Sequence, residues 1–283
     1  MALGELPAAR AELERAAGLY DPQQHHALAF GGVDPSGRDH AAIVLWLLGY
    51  PDRAQASLRQ MMTIVSERPH PFTETVAQLF AAMLYQLRRE PKPAREWAEA
   101  ALSMTTRHAF ALWRAMALVL SGWALAAQDE PAEGIDRMRR GLDAWRATGA
   151  ELLRPWFLGL LADGLGTVDC AREGLTLLDE ALATVDATEE RWCEAELLRL
   201  RGELLVRCAA PAEAERSFAG ALALARRQEA KSLELRTAIS LARVWRDQQR
   251  AADAKRLVAE VHGWFVEGFE TPDLEEARLI IAS

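Results

Sequence analysis

The chain has 283 residues, of which 50% are hydrophobic and 26% charged, with a formal net charge of −8. This is the composition of a folded soluble protein, and its acidic balance argues against nucleic acid as the main partner, because phosphate contacts need a basic face. Cys170, Cys193 and Cys208 are an odd set without a C-x-x-C pair, which reads as reduced thiols in a cytoplasmic protein and not as a disulfide frame.

The N-terminus, MALGELPAARAELER, lacks a basic segment followed by an apolar one and is not a signal peptide. Residues 6–20 read as a helix, with Pro7 near its start and Leu13, Ala16, Ala17 and Tyr20 apolar; Asp21-Pro22 breaks it. Residues 23–30 read as a short helical piece and GGVDPSG, residues 31–37, as a loop. Residues 1–31 thus form an N-terminal helical cap or truncated repeat.

A register with a period of 40 residues then runs through residues 32–271. One column holds Ala42, Ala82, Gly122, Ala162, Gly202 and Ala242, and a second holds Ala54, Ala94, Gly134, Gly174, Ala214 and Ala254. Larger residues follow the second column at Leu58, Met138, Leu178, Phe218 and Val258, interrupted by Ala98. Pro51, Pro91, Pro131 and Pro211 share a column too, the place for a proline in the first turn of a helix. Small residues on two helices let their backbones approach closely, and offsets of three and four keep these positions on one face. The column of Leu102, Leu142, Leu182 and Leu222 is expected in the core. The most apolar stretch, residues 109–127, contains Arg114; it is short for a membrane span and reads as a buried helix.

This pattern resembles the tetratricopeptide repeat in six copies. The period exceeds the standard repeat of ~34 residues, and the usual tryptophan column holds Arg38, Gln78, Leu118, Leu158, Leu198 and Ala238. The expected fold is all-α: a tetratricopeptide-like superhelical array of about six helical hairpins. Residues 272–283 are expected to form a capping helix, with Thr271 as N-cap, Pro272 at the first position and Asp273, Glu275 and Glu276 near its N-terminal dipole.

Two stretches are more specific, GLDAWRATGAELLRP (residues 141–155) and GWFVEGFETPDLEEAR (residues 263–278). They resemble the C-terminal region of large bacterial signalling proteins in which a class III adenylate or guanylate cyclase domain is followed by an AAA-type or NB-ARC-like ATPase and a helical-repeat tail. ATEERWCEAELLRLRGELL (187–205), AKSLELRTAISLARVWRDQ (230–248) and LYDPQQHHALAF (19–30) fit the same family. The resemblance implies a regulatory tail and does not give this chain cyclase or ATPase activity.

Catalytic signals are weak. Gly32 to Gly37 has the G-x-x-x-x-G spacing of a phosphate-binding loop, but Arg38 and Asp39 stand where Lys and Ser/Thr are needed. The histidines show no H-x-x-x-H or H-E-x-x-H spacing, and G-x-S-x-G is absent. The sequence therefore points to a protein that is not an enzyme, with no cofactor and no metal site. In tetratricopeptide arrays the first helix of each pair lines the concave face. Its N-terminal half here is expected to be apolar, from Trp46, Met83, Met116, Trp123 and Trp156; packing between long helices competes with that role. Its C-terminal half is expected to be charged, from Asp163, Glu196, Arg199, Glu203, Arg236, Arg243 and Arg246. Aromatic and methionine side chains suit an apolar helix or ligand body, and arginines suit a carboxylate or phosphate. The function expected is a sensor or interaction module regulating an attached or partner signalling enzyme through a protein segment or acidic effector in that groove. The alternatives are a stand-alone small-molecule-binding repeat protein and a pure assembly scaffold.

Overall fold

The computed structural model describes residues 1–19, 37–67 and 69–283. The helical piece expected at residues 23–30 and the loop at residues 31–36 lie outside them. Among the described residues the chain is all helix and connecting turn. After α1 (Leu6–Leu19) come six hairpins: α2 (Arg38–Leu47) with α3 (Pro51–Glu67), α4 (Pro71–Leu87) with α5 (Pro91–His108), α6 (Ala111–Ala126) with α7 (Pro131–Ala147), α8 (Arg154–Gly166) with α9 (Ala171–Thr188), α10 (Glu194–Arg207) with α11 (Pro211–Arg227), and α12 (Lys231–Asp247) with α13 (Ala251–His262); α14 (Pro272–Ala282) ends the chain. The helices fall into two compact units. The first comprises residues Pro7–Trp46 and Pro51–Ala150 with Met1; the second comprises Glu151–Ser283 with Ala2–Leu6 and Leu47–Tyr50.

The small-residue columns are where paired helices touch. In the first unit a Cβ added to Gly134 would stand 2.5 Å from the Gly122 carbonyl oxygen and 2.5 Å from the Ala126 amide nitrogen. A Cβ on Gly122 would meet the Gly134 carbonyl oxygen at 2.7 Å. Backbone faces backbone here, so no side chain can move aside. The column of large residues fills the space beside this contact: Leu58, Met138, Leu178, Phe218 and Val258 are all buried.

The leucine column departs from expectation. Leu142 and Leu222 are buried, but Leu102 and Leu182 are half-buried. The column one residue earlier, with Met61, Ala101, Ala181, Ala221 and Val261, is the more deeply buried. The inward direction of these second helices is therefore turned by one residue toward the small side chains. At α14, Pro272 takes the first turn, but Thr271 does not cap through its side chain: its hydroxyl donates back to the Gly268 carbonyl at 2.8 Å.

The turns carry a regularity of their own. Gly49, Arg89, Asp129, Asp169, Ala209 and Gln249 all have left-handed backbone, one per hairpin, two residues before the proline column. In the five copies after the first, the next residue's N–H bonds the carbonyl five residues back, as in Glu90 to Tyr85 at 2.9 Å and Arg250 to Trp245 at 2.7 Å. This is the closure that ends a helix on a left-handed residue. Ala109, Gly149, Glu189 and Glu229 repeat the left-handed conformation at turns between hairpins.

Gly134→Ala should destabilise by about 1–3 kcal/mol through overpacking, although Ala is favoured over Gly in helices by up to about 1 kcal/mol. Gly18→Ala in α1, where no other described residue lies within 4 Å, should be neutral or stabilising; urea denaturation of both variants reads the sign directly. Ala209→Gly should stabilise by about 0.5–1 kcal/mol, because the left-handed conformation burdens Ala and not Gly.

Candidate functional site

In the second unit α8, α10 and α12 are successive first helices, and α10 packs against both α8 and α12 while α12 packs against α14. Positions 37 to 41 residues apart therefore meet across neighbouring helices. Arg199 on α10 donates from Nε and Nη2 to the two oxygens of Glu196, both at 2.8 Å. Its Nη1 reaches Glu203 at 3.2 Å and Ser240 on α12 at 3.2 Å. The Ser240 hydroxyl donates to Glu203 at 2.6 Å. Arg236 donates to Asp273 of α14 at 3.0 and 2.6 Å and to Glu196 at 3.4 Å. Arg243 contacts Glu203 at 3.5 Å and also binds Glu276.

Burial grades along this row. The Arg236 side chain is 6% exposed, Arg199 11%, Glu203 29% and Arg243 46%. The paired guanidiniums hold the Glu196 carboxyl down to about 2, against the pull of burial, which taken alone would raise it. The same pairing raises the Arg199 guanidinium further above its ordinary range, again against burial. Asp163 on α8 is exposed by surface, yet protein crowds its other sides; loss of hydration pushes its carboxyl up, and Arg199 opposes this while Glu196 and Glu203 add to it.

The structure thus brings together Glu196, Arg199, Glu203, Arg236 and Arg243 from the residues singled out by sequence, with Asp163 in their electrostatic reach, and Arg246 stands exposed one turn beyond Arg243. Ser240, Asp273 and Glu276 join them and were not anticipated. Their signal was the spacing: Ser240 lies 37 residues after Glu203, and Asp273 lies 37 after Arg236. The expectation that these arginines stand ready for an anion is revised, because Arg199, Arg236 and Arg243 are each engaged by carboxylates of the chain. The apolar residues singled out are packed: Trp46, Met83, Met116, Trp123 and Trp156 are each at most 6% exposed. Trp156 sits against Phe157 and Trp192, with ring centroids 5.3 and 5.7 Å away.

A second buried carboxylate has a structural task. Leu153, left-handed at the start of α8, directs its N–H to both oxygens of Glu190 at 3.0 and 2.9 Å. The Trp192 indole N–H donates to the same carboxylate at 2.8 Å. Burial pushes the Glu190 carboxyl up, and these two hydrogen bonds oppose it. Burial also raises the Cys193 thiol well above its ordinary value, with Glu190 adding to the effect, so this thiol is held in its unreactive form. Among the described residues no group of three His, Cys, Asp or Glu side chains is placed to hold a metal ion, and no helix is long and apolar enough to cross a membrane.

The lowered carboxyl of Glu196 gives a pH prediction. Its folded value of about 2 lies below the ordinary 4.5, so its contribution is present above pH 4.5 and is lost as pH falls toward 2. Glu196→Gln should cost on the order of 3 kcal/mol at neutral pH and flatten the acid limb of a stability–pH curve measured by denaturant titration. Asp163 has the opposite sign: its ionised form opposes folding above the ordinary carboxylate range, so Asp163→Asn should not reproduce the loss.

No protein-family model matches the chain, and no curated protein matches it in sequence. Solved structures do match in shape. A Rap protein complexed with Competence and Sporulation Factor superposes with a TM-score of 0.67 at 16% identity, covering 96% of this chain and 72% of that one. The apo form of RapI superposes with a TM-score of 0.51 at 14% identity, covering 98% and 76%. At these identities the likeness concerns the fold, and with the helix order and small-residue columns above it makes this chain an all-α protein of tetratricopeptide-like repeats.

Proposed function

We propose that the chain is a non-catalytic interaction module that regulates an attached or partner signalling enzyme of the cyclase–ATPase type by receiving a protein segment on the α10–α12–α14 face. The observation that carries this reading is the partly exposed ion-pair row. Such a row has little to offer as a reaction centre, because mutually neutralised guanidiniums and carboxylates leave no nucleophile or proton donor poised near neutral pH. As a recognition surface it is well suited, since fixed charges of both signs set register and reject wrong partners. The Rap protein of similar fold is complexed with Competence and Sporulation Factor, which supports the use of this architecture for receiving a partner. The resemblance of residues 141–155 and 263–278 to the tails of cyclase–ATPase proteins supports the enzyme class.

The charge count sets the partner's chemistry. Five carboxylates (Asp163, Glu196, Glu203, Asp273, Glu276) stand against four guanidiniums (Arg199, Arg236, Arg243, Arg246). A segment presenting Lys or Arg therefore fits better than an acidic effector. Glu203, Arg243 and Arg246 are the contact residues in this reading and Arg199 orients them. Trp46, Met83, Met116, Trp123 and Trp156 support the helices from within.

Purified chain added to class III cyclase and AAA-type ATPase domains from proteins of the architecture it resembles should change their turnover by about fivefold or more. Asp163→Lys, a charge reversal at an exposed residue, should abolish the change while the far-UV circular dichroism stays the same. Unchanged turnover with both enzymes would sink the regulatory reading. An effect insensitive to Asp163→Lys would remove it from this face.

A further inference from the structure

We propose that the second unit carries a peptide-docking site at Arg191, Trp192 and Gln228, filled here by the chain's own residues 2–6. The partner it fits is a protein segment that bends at a glycine and places a leucine two residues later. Residues 2–6, Ala-Leu-Gly-Glu-Leu, are far from the second unit in sequence but pack with it. The site lies at the α9–α10 connection and the end of α11, and shares no residue with the ion-pair row.

Three contacts define the occupant. The Ala2 carbonyl accepts the N–H of Arg191 at 2.7 Å and that of Trp192 at 3.2 Å. Gly4 follows in left-handed backbone, φ +79°, where a Cβ would stand 2.3 Å from the Gln228 Nε2 atom. Conformation and space both demand glycine there. The Leu6 N–H then bonds back to the Gly4 carbonyl at 3.0 Å, which closes the bend, and Leu6 is fully buried. Leu3 and Glu5 are exposed. The segment is thus read at its first, third and fifth places, and any Gly-x-Leu segment in the same bend would meet the same surface.

The receiving surface is held by bonds of its own. Gln228 Nε2 donates to the Arg191 carbonyl at 2.9 Å. The Arg191 guanidinium pairs with Glu194 at 3.0 Å and Asp186 at 3.3 Å. The Trp192 indole is fixed by Glu190 and lies against Trp156. A surface preformed in this way needs little reorganisation on binding, which favours exchange of one segment for another. Vacating it takes the acceptor from the Arg191 and Trp192 N–H groups, a cost that a new acceptor removes. Glu190 and Glu194 flank these donors in sequence, so a neutral peptide carbonyl suits them better than a carboxylate.

The test supplies the segment in trans. Gly4→Val in the full chain should dislodge residues 2–6. A fluorescein-labelled peptide of residues 1–10 should then bind that chain saturably by fluorescence anisotropy and raise its melting temperature. The unaltered chain should bind the peptide about tenfold or more weakly, because its own segment competes at high effective concentration. Peptides carrying Gly4→Val or Leu6→Asp should also lose about tenfold or more in affinity for the Gly4→Val chain. Absence of saturable binding to the Gly4→Val chain would overturn the proposal, as would undiminished binding of the Gly4→Val peptide. Loss of binding on adding Asp163→Lys would overturn it too, since the peptide would then sit on the ion-pair row. Where the Gly4→Val chain fails to fold, the chain lacking residues 1–6 decides in its place. None of these outcomes touches the cyclase and ATPase assay.

Discussion

The close approach of backbones, closest in the α6–α7 hairpin and repeated where Gly174 faces Ala162, is the constraint from which much of the structure follows. At Gly122 and Gly134 a single added carbon would sit inside the contact distance of a facing backbone atom. In the α4–α5 hairpin the same two columns hold Ala82 and Ala94, both without exposed surface. Helices held this close cannot place large side chains between themselves, so bulk is displaced to the next turn, where Met138, Leu178, Phe218 and Val258 are buried. One copy shows the rule from the other side: Gly202 has no Cβ because the Phe218 ring occupies that space, 2.4 Å from where the atom would be. The repeat is thus a set of matched volumes, not of matched residue types, which is why columns tolerate Ala for Gly and Phe for Leu.

That logic explains what was legible in the sequence. A close approach admits only Gly or Ala, so six consecutive small residues at a fixed spacing announce it without ambiguity. The turns were harder to read. Their left-handed positions hold Arg89, Asp129, Asp169, Ala209 and Gln249, and only Gly49 advertises the conformation. Tertiary packing on both flanking helices imposes the turn, and the residue tolerates it at a cost of about 1–2 kcal/mol. The burial of individual faces was legible only to within one residue: a shift of one position on a helix turns a side chain by about 100°, enough to move Leu102 and Leu182 partly out of the core while Ala101 and Ala181 move in.

The charged row was half legible, for a related reason. A column shows which residue types recur, and it brought out Asp163, Glu196, Arg199, Glu203, Arg236 and Arg243. It does not show that neighbouring first helices are offset, so that a residue meets the one 37 positions later as well as the one 40 later. Leu153 with Glu190, Glu203 with Ser240, and Arg236 with Asp273 all use the shorter step. Without it the arginines looked free, and an anionic ligand looked natural. With it they become the positive half of an internal network whose surplus is negative. The same oversight assigned Trp123 and Trp156 to an open wall, although large rings next to a small-residue column are the natural filling between helices.

The shorter step also shows what the most family-like stretches do. The segment around Gly149 and Leu153 interrupts the regular turn, and its left-handed Leu153 leaves an N–H at the start of α8 that needs an acceptor. Glu190 supplies it from the next hairpin, and Trp192 anchors the same carboxylate from the other side. Arg154 adds links to Glu151 and Glu180. A buried carboxylate held this way is tolerated only while its hydrogen bonds last, so the clamp fixes the geometry with which α8 and α10 begin. Those two helices carry Asp163, Glu196 and Arg199. Within the second unit, the stretch at 187–205 thus holds both the Glu190 clamp and Glu196, Arg199 and Glu203 of the charged row, and the stretch at 263–278 adds Asp273 and Glu276 to it.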